Sequence, residues 1–177
     1  MKVKLDKYYG KWHEVARLPN WFQGDLWFSP WSGKNSTAEY GTTSDPQIIT
    51  VTNRLTRKFK FSFLEKIFGN KETVKGHAVV KSENSFSVSF APFSRFWVFG
   101  KPNYFVRTII ADKDGGYLFS VITSSEGNEE QKYAWLLSRK DPEEWSEEER
   151  VLVQSTIQMM EMYGVKEEKL VKHATLP

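Results

Sequence analysis

Apolar residues recur at every second position in short runs between residues 36 and 139, and clusters of Gly, Asn, Asp, Ser and Pro separate the runs. Period-two alternation between such breakers is the pattern of half-buried β-strands. It is cleanest at Ser85-Phe86-Ser87-Val88-Ser89-Phe90, where the apolar side chains share one face and the serines the other. The pattern predicts eight strands, at His13–Leu18, Ser36–Tyr40, Ile48–Leu55, Val74–Lys81, Ser85–Phe90, Tyr104–Ala111, Tyr117–Thr123 and Tyr133–Arg139. The links Ser82-Glu83-Asn84 and Asp112-Lys113-Asp114-Gly115-Gly116 have hairpin length, so successive strands lie antiparallel and side by side. In the last run Tyr133, Trp135, Leu137 and Arg139 share a face, an apolar row that ends in a charge.

After Arg139 the period changes. Ser146-Glu147-Glu148-Glu149 is a capping box with acids in its first turn, which starts a helix near Glu147. Leu152, Val153, Thr156, Ile157, Met160 and Tyr163 follow at helical spacing, and Gly164 is a natural stop. This stripe is read as packing on the outside of the sheet. Lys169–His173 suits a short final strand. The chain contains no repeat of about 20–50 residues and no low-complexity linker, which argues against solenoids, propellers and two domains. The expected architecture is one all-β domain over residues 1–177: an eight-stranded antiparallel up-and-down β-barrel with one C-terminal α-helix. Closing the meander removes both sheet edges.

Composition narrows the chemistry. With 177 residues the chain is of single-domain size, and 15% aromatic residues supply rigid rings for a core or an aromatic-lined pocket. No cysteine is present, so disulfides, thiolate nucleophiles, Cys-ligated zinc and iron–sulfur clusters are excluded. Met1-Lys2-Val3-Lys4-Leu5-Asp6-Lys7 places charges where a signal peptide needs an apolar run. A soluble protein is therefore expected, with the cytoplasm favoured and the mature form of an exported protein left open. A net charge of +3 is too small for the broad electrostatic footprint of a nucleic-acid binder, and the acidic run Glu143–Glu149 opposes one further.

Near the N-terminus stands Tyr9-Gly10-Lys11-Trp12-His13-Glu14-Val15-Ala16-Arg17-Leu18-Pro19-Asn20-Trp21-Phe22. The G-x-W within it resembles the lipocalin signature, and the longer form G-x-W-x-E-x-A-R-x-P-x-x-F is similar to bacterial lipocalins, plant temperature-induced lipocalins and apolipoprotein D. The stretch from Tyr104 to Asp112 followed by Asp114-Gly115-Gly116-Tyr117 resembles part of the second family block, with Ala111-Asp112-Lys113 in place of its usual T-D-Y. Trp135-Leu136-Leu137-Ser138-Arg139 resembles the third block, an arginine that ends the last barrel strand. Physical reasons support the first and third blocks. A large inward Trp12 can close one barrel end, Gly10 lets the entering chain pass close beneath, and Arg139 stacked on the indole gains cation–π attraction of about 0.5–2 kcal/mol.

The resemblance implies a binding protein for a small hydrophobic ligand such as a fatty acid, a lysophospholipid or a similar amphiphile, without a cofactor or a metal. Alternation assigns Phe86, Val88, Phe90, Tyr133 and Trp135 to the inward face, and the lipocalin pattern adds Ala16, Ala38, Tyr40, Val106 and Thr108. Together they line an apolar, aromatic cup; the alternative is that they fill a solid core. Burying 200–300 Å² of a hydrocarbon tail contributes about 5–7 kcal/mol before association costs. At the open end, Gln23–Asn35 carries Trp27, Phe28, Pro30 and Trp31 and is expected to fold over the mouth as a lid. In the segment 54–68, Arg54, Arg57, Lys58, Lys60 and Lys66 stand against Glu65 alone and are interleaved with phenylalanines. That pattern suits an anionic headgroup, an anionic membrane surface or single-stranded nucleic acid, with lipid the better fit beside the barrel, or else a strand extension with Lys outward and Phe inward.

The alternative function is a lipocalin-fold enzyme acting on a bound lipid or isoprenoid. Few residues speak for it, and the chain is read as a non-enzyme. His13, His77 and His173 lie in separate elements, and no H-E-x-x-H or G-x-S-x-G motif is present. Glu14, on the Trp12 face by period two, is the best candidate for unusual chemistry, although Arg17 or a tyrosine would satisfy it.

Overall fold

The computed structural model describes residues 2–25, 29–90 and 100–172. A short helix α1 (Leu5–Tyr8) leads into β1 (Gly10–Arg17), followed by β2 (Trp31–Thr42), β3 (Ile48–Phe59), a helix α2 (Ser62–Phe68), β4 (Lys71–Val80), β5 (Ser85–Ser89), β6 (Tyr104–Ala111), β7 (Tyr117–Thr123) and β8 (Ala134–Ser138). Helix α3 (Glu147–Met160) and a two-residue strand β9 (Val171–Lys172) complete the chain. Neighbours in sequence pair antiparallel from β2 to β8, and β1 closes the sheet by pairing with β8 on one side and β2 on the other. The result is a closed, eight-stranded, up-and-down barrel, with β9 added outside β1.

Local chemistry sets the turns. Asp112 Oδ1 accepts the amides of Asp114 and Gly116 at 2.9 and 2.8 Å, which folds the β6–β7 hairpin back on itself. Thr43 Oγ1 donates to the carbonyl of Ile48 at 2.7 Å and accepts from Asp45 N, closing the β2–β3 turn. Helix α3 starts on the expected capping box: Ser146 Oγ accepts from Glu149 N at 3.2 Å, and Glu149 Oε2 accepts from Ser146 N at 2.9 Å.

The barrel wall separates two cores. Outside it, Val153, Ile157 and Met160 of α3 pack on Val15, Phe119, Val121, Ala134 and Leu136. Inside it, Trp12, Tyr40, Ile49, Val51, Ala78, Phe86, Val106, Ile122 and Leu137 form the second core. Irregularities in the ladder decide which residue joins which. The register of β1 against β8 shifts between Glu14 and Ala16, and that of β6 against β7 between Val106 and Thr108. Each extra residue reverses the alternation beyond it.

Several elements differ from the sequence reading. Strand β2 begins at Trp31, so residues 31–34 are ladder residues and not lid; Asn35, at φ 49°, marks the irregularity between Lys34 and Thr37. Trp27 and Phe28 lie outside the described residues, as does His173. Strand β3 runs on to Phe59, as the strand-extension reading of 54–68 expects, but α2 and not further strand then caps the β3–β4 hairpin.

Candidate functional site: the barrel interior

The base of the barrel is closed by an indole under a guanidinium. Trp12 is completely buried, and its Nε1 donates to the carbonyl of Tyr8 at 2.9 Å. The Arg139 guanidinium carbon lies 4.0 Å from the Trp12 ring centroid. Arg139 also donates to the carbonyls of Lys11, at 3.1 Å, and Lys7, so one side chain stitches three segments together. Gly10 has φ +96°, a conformation that side chains with a Cβ avoid, and it brings the chain directly under this arginine.

Above the indole, tyrosines make a floor. Tyr40 and Tyr104 share a hydrogen bond of 2.7 Å, Tyr104 and Tyr8 one of 3.0 Å, and Tyr8 reaches Ser120 Oγ at 3.3 Å. Burial pushes the Tyr8 phenol up and those of Tyr40 and Tyr104 well up. The folded state therefore retains protons that the unfolded chain releases near the ordinary tyrosine value. Stability is expected to fall as pH rises past that value. Alkaline titration followed by phenolate absorbance should show these three residues ionising only with unfolding; reversible titration of all seven tyrosines in the native state would contradict this floor.

Higher up the wall the inward residues open. The lower ring, including Tyr40, Phe86 and Val106, is buried, with Ala38 and Tyr104 beside it partly accessible, and above it Leu55, Val74, Val88, Tyr133 and Trp135 keep part of their surface accessible. Tyr133 stacks on Trp135 at 6.0 Å and meets the Phe22 ring edge-on at 5.6 Å. Phe90 follows β5 and is 39% exposed; its ring lies over Gly76, where an added Cβ would come within 2.6 Å of it.

Two of the expected lining residues do not face the interior. Ala16 follows the β1 irregularity and joins the core under α3. Thr108 follows the β6 irregularity and its hydroxyl shares a 2.6 Å hydrogen bond with Tyr163, outside the barrel. The inward places go instead to Arg17, paired with Trp135, and to Ile109, paired with Ser120.

That reversal puts a polar network where an apolar cup was expected. Arg17 is fully buried and grips Asp25 through Nε and Nη2 at 2.7 and 2.6 Å, while Nη1 donates to Glu14 Oε1. Gln23 Nε2 donates to Glu14 Oε2 at 2.8 Å, and Asn20 holds Gln23 from both ends. Burial pulls the Arg17 guanidinium down, but Asp25 and Glu14 outweigh it and hold its pKa above the usual value. With both carboxylate oxygens engaged, Glu14 serves as an anchor for the chain that follows β1. Nearer the rim Arg57, on the same face as Val51 by unbroken alternation, pairs with Glu72 and lies 4.9 Å from the Trp31 ring centroid. Asn20, Gln23 and Asp25 gave no periodic signal, because they act from a loop.

Outside the wall His13 lies 3.4 Å from Asp141, yet burial lowers its pKa, with Lys11 helping and Asp141 opposing, so the contact at neutral pH joins a largely neutral imidazole to a carboxylate. Clefts of about 470 and 420 Å³ on the outer surface are lined chiefly by polar and charged side chains and do not enter the aromatic interior. Among the described residues, no group of three or more His, Asp or Glu is arranged to hold a metal, and no helix is long and apolar enough to cross a membrane.

A closed antiparallel barrel with a plugged base, an aromatic interior and one outer helix defines the class of eight-stranded up-and-down β-barrels stoppered at one end. The family model of the lipocalin-like domain matches residues 3–172, and the chain belongs to that family. A search of curated protein sequences gives no match. Among solved structures the chain is similar to lobster apocrustacyanin A1, with a TM-score of 0.58 and 13% identity over 96% of this chain and 78% of that one. It is similar to the bovine lipocalin allergen Bos d 2, with a TM-score of 0.55 and 14% identity over 96% and 94% of the two chains. Insecticyanin from the tobacco hornworm Manduca sexta gives 0.52 and 17% over 97% and 80%. At these identities the likeness concerns the fold.

Proposed function

We propose that the chain is a non-enzymatic carrier or scavenger that holds a small hydrophobic ligand in the upper part of the barrel, with a fatty acid, lysophospholipid or similar amphiphile as cargo. The observation that carries this reading is the gradient along the inward face, from fully buried Trp12 and Phe86 at the base to partly accessible Val88, Tyr133 and Trp135 above. The partly accessible aromatic and apolar side chains above the tyrosine floor support a guest space reached from the rim. Ala38, Val88, Phe90, Tyr133 and Trp135 would line the guest, with Tyr40, Phe86 and Val106 beneath it. Catalysis finds little support, since Glu14 is held by Arg17 and Gln23.

The test fills the hollow. Val88→Trp should weaken binding of a fluorescent fatty acid by roughly tenfold or more, because the added ring takes the space of several methylene groups at about 0.8 kcal/mol each. Native mass spectrometry of the purified wild-type chain should show co-purified lipid. Unchanged affinity in Val88→Trp, together with a ligand-free mass spectrum, would defeat the carrier reading.

A further inference from the structure

The tip of the β3–β4 hairpin takes no part in either core. Helix α2 buries none of its side chains, and Phe61, Phe63, Ile67 and Phe68 are 60, 57, 66 and 63% exposed. The phenylalanines of the tip lie in two ring pairs: Phe59 stacks with Phe68 at 6.4 Å, and Phe61 lies 6.1 Å from Phe63. The backbone beneath is fastened, with Arg57 N donating to the carbonyl of Asn70 at 2.6 Å and Asn70 Nδ2 donating to Glu65 at 2.9 Å. So large an apolar surface on an ordered tip marks an interaction site.

Charge decides the partner. Lys58, Lys60, Lys66 and Lys71 surround the patch and all are exposed, with Glu65 the one acid among them. The nearby acids Glu39 and Glu72 are taken by Arg54 and Arg57. A second copy of the tip would cover the rings but set lysines against lysines, whereas a negative surface satisfies both features. We propose that this tip docks on an anionic phospholipid bilayer, the phenylalanines and Ile67 entering the boundary between headgroups and acyl chains and the lysines meeting the headgroup charge. Strand β3 runs from the base to the mouth, so the tip stands at the open end, and docking turns that end toward the bilayer. The inference is independent of cargo binding.

The test is sedimentation of the full chain with phosphatidylcholine vesicles, with and without phosphatidylserine. Wild type should partition more strongly onto the phosphatidylserine vesicles, and added salt should weaken it. Lys58→Glu with Lys66→Glu should remove that preference, a loss of more than about tenfold, and Phe63→Ser with Ile67→Ser should lower partitioning onto both vesicles. All four positions are exposed, so melting temperature should be unchanged. Equal wild-type binding to both vesicles, or charge-reversed variants that bind like wild type, would overturn the proposal. A wild-type dimer that avoids vesicles and becomes monomeric on Phe63→Ser with Ile67→Ser would overturn it in favour of self-association.

Discussion

Trp12→Ala is expected to destabilise the protein by about 3–5 kcal/mol, the range for removing a large buried aromatic side chain. Three losses coincide at this position. The completely buried indole leaves a void at the base, the Tyr8 carbonyl loses its Nε1 donor, and the Arg139 guanidinium loses the ring it covers. Urea unfolding should show a lower midpoint with little change in slope. Arg139→Met should cost less, because the cation–π contact contributes about 0.5–2 kcal/mol and the methionine can still cover the ring. A Trp12→Ala loss below about 1 kcal/mol would mean that the base is not held by the indole.

Arg17→Met should cost about as much, roughly 3–5 kcal/mol, for a different reason. The substitution keeps an apolar stem of similar length but leaves Glu14 and Asp25 as buried carboxylates without their shared cation. What is lost is chiefly the compensation for their desolvation. Two consequences can be measured. The variant should gain stability as pH falls, since protonation removes the uncompensated charge. Adding Glu14→Gln and Asp25→Asn should restore part of the loss. If Arg17→Met were neutral, Glu14 and Asp25 would not depend on the guanidinium for the compensation of their burial.

Much of this fold could be read from alternation and punctuation. Phe86 and Val88 face inward as their serine neighbours require, and the capping box starts α3 where Ser146 predicts it. The closure of Trp12 against Arg139 was expected from the resemblance to the first and third lipocalin blocks, for which one tryptophan, one glycine and one misplaced charge gave a physical reason. Ala16 and Thr108 escaped because a single inserted residue inverts everything after it, and Val15 and Arg107 look like ordinary strand residues. The pairing of Glu14 with Arg17 was legible, but its place inside the barrel escaped for the same reason, and its further partners escaped because the loop that supplies Asn20, Gln23 and Asp25 has no period. Helix α2 was hidden because Lys58 to Phe63 alternates strictly, so strand and helix compete until the hairpin has to turn.

The tyrosine floor has a consequence for any guest. Under the proposed carrier function, a floor fixed by Tyr8, Tyr40 and Tyr104 would act as a depth gauge: an amphiphile would go in tail first, and its headgroup would reach the rim only when its chain matched the distance down to the phenols. Shorter homologues would leave space unfilled and longer ones would protrude, so a series of increasing chain length should give affinities that climb and then level off, with the break set by how far Tyr40 and Tyr104 stand from the opening.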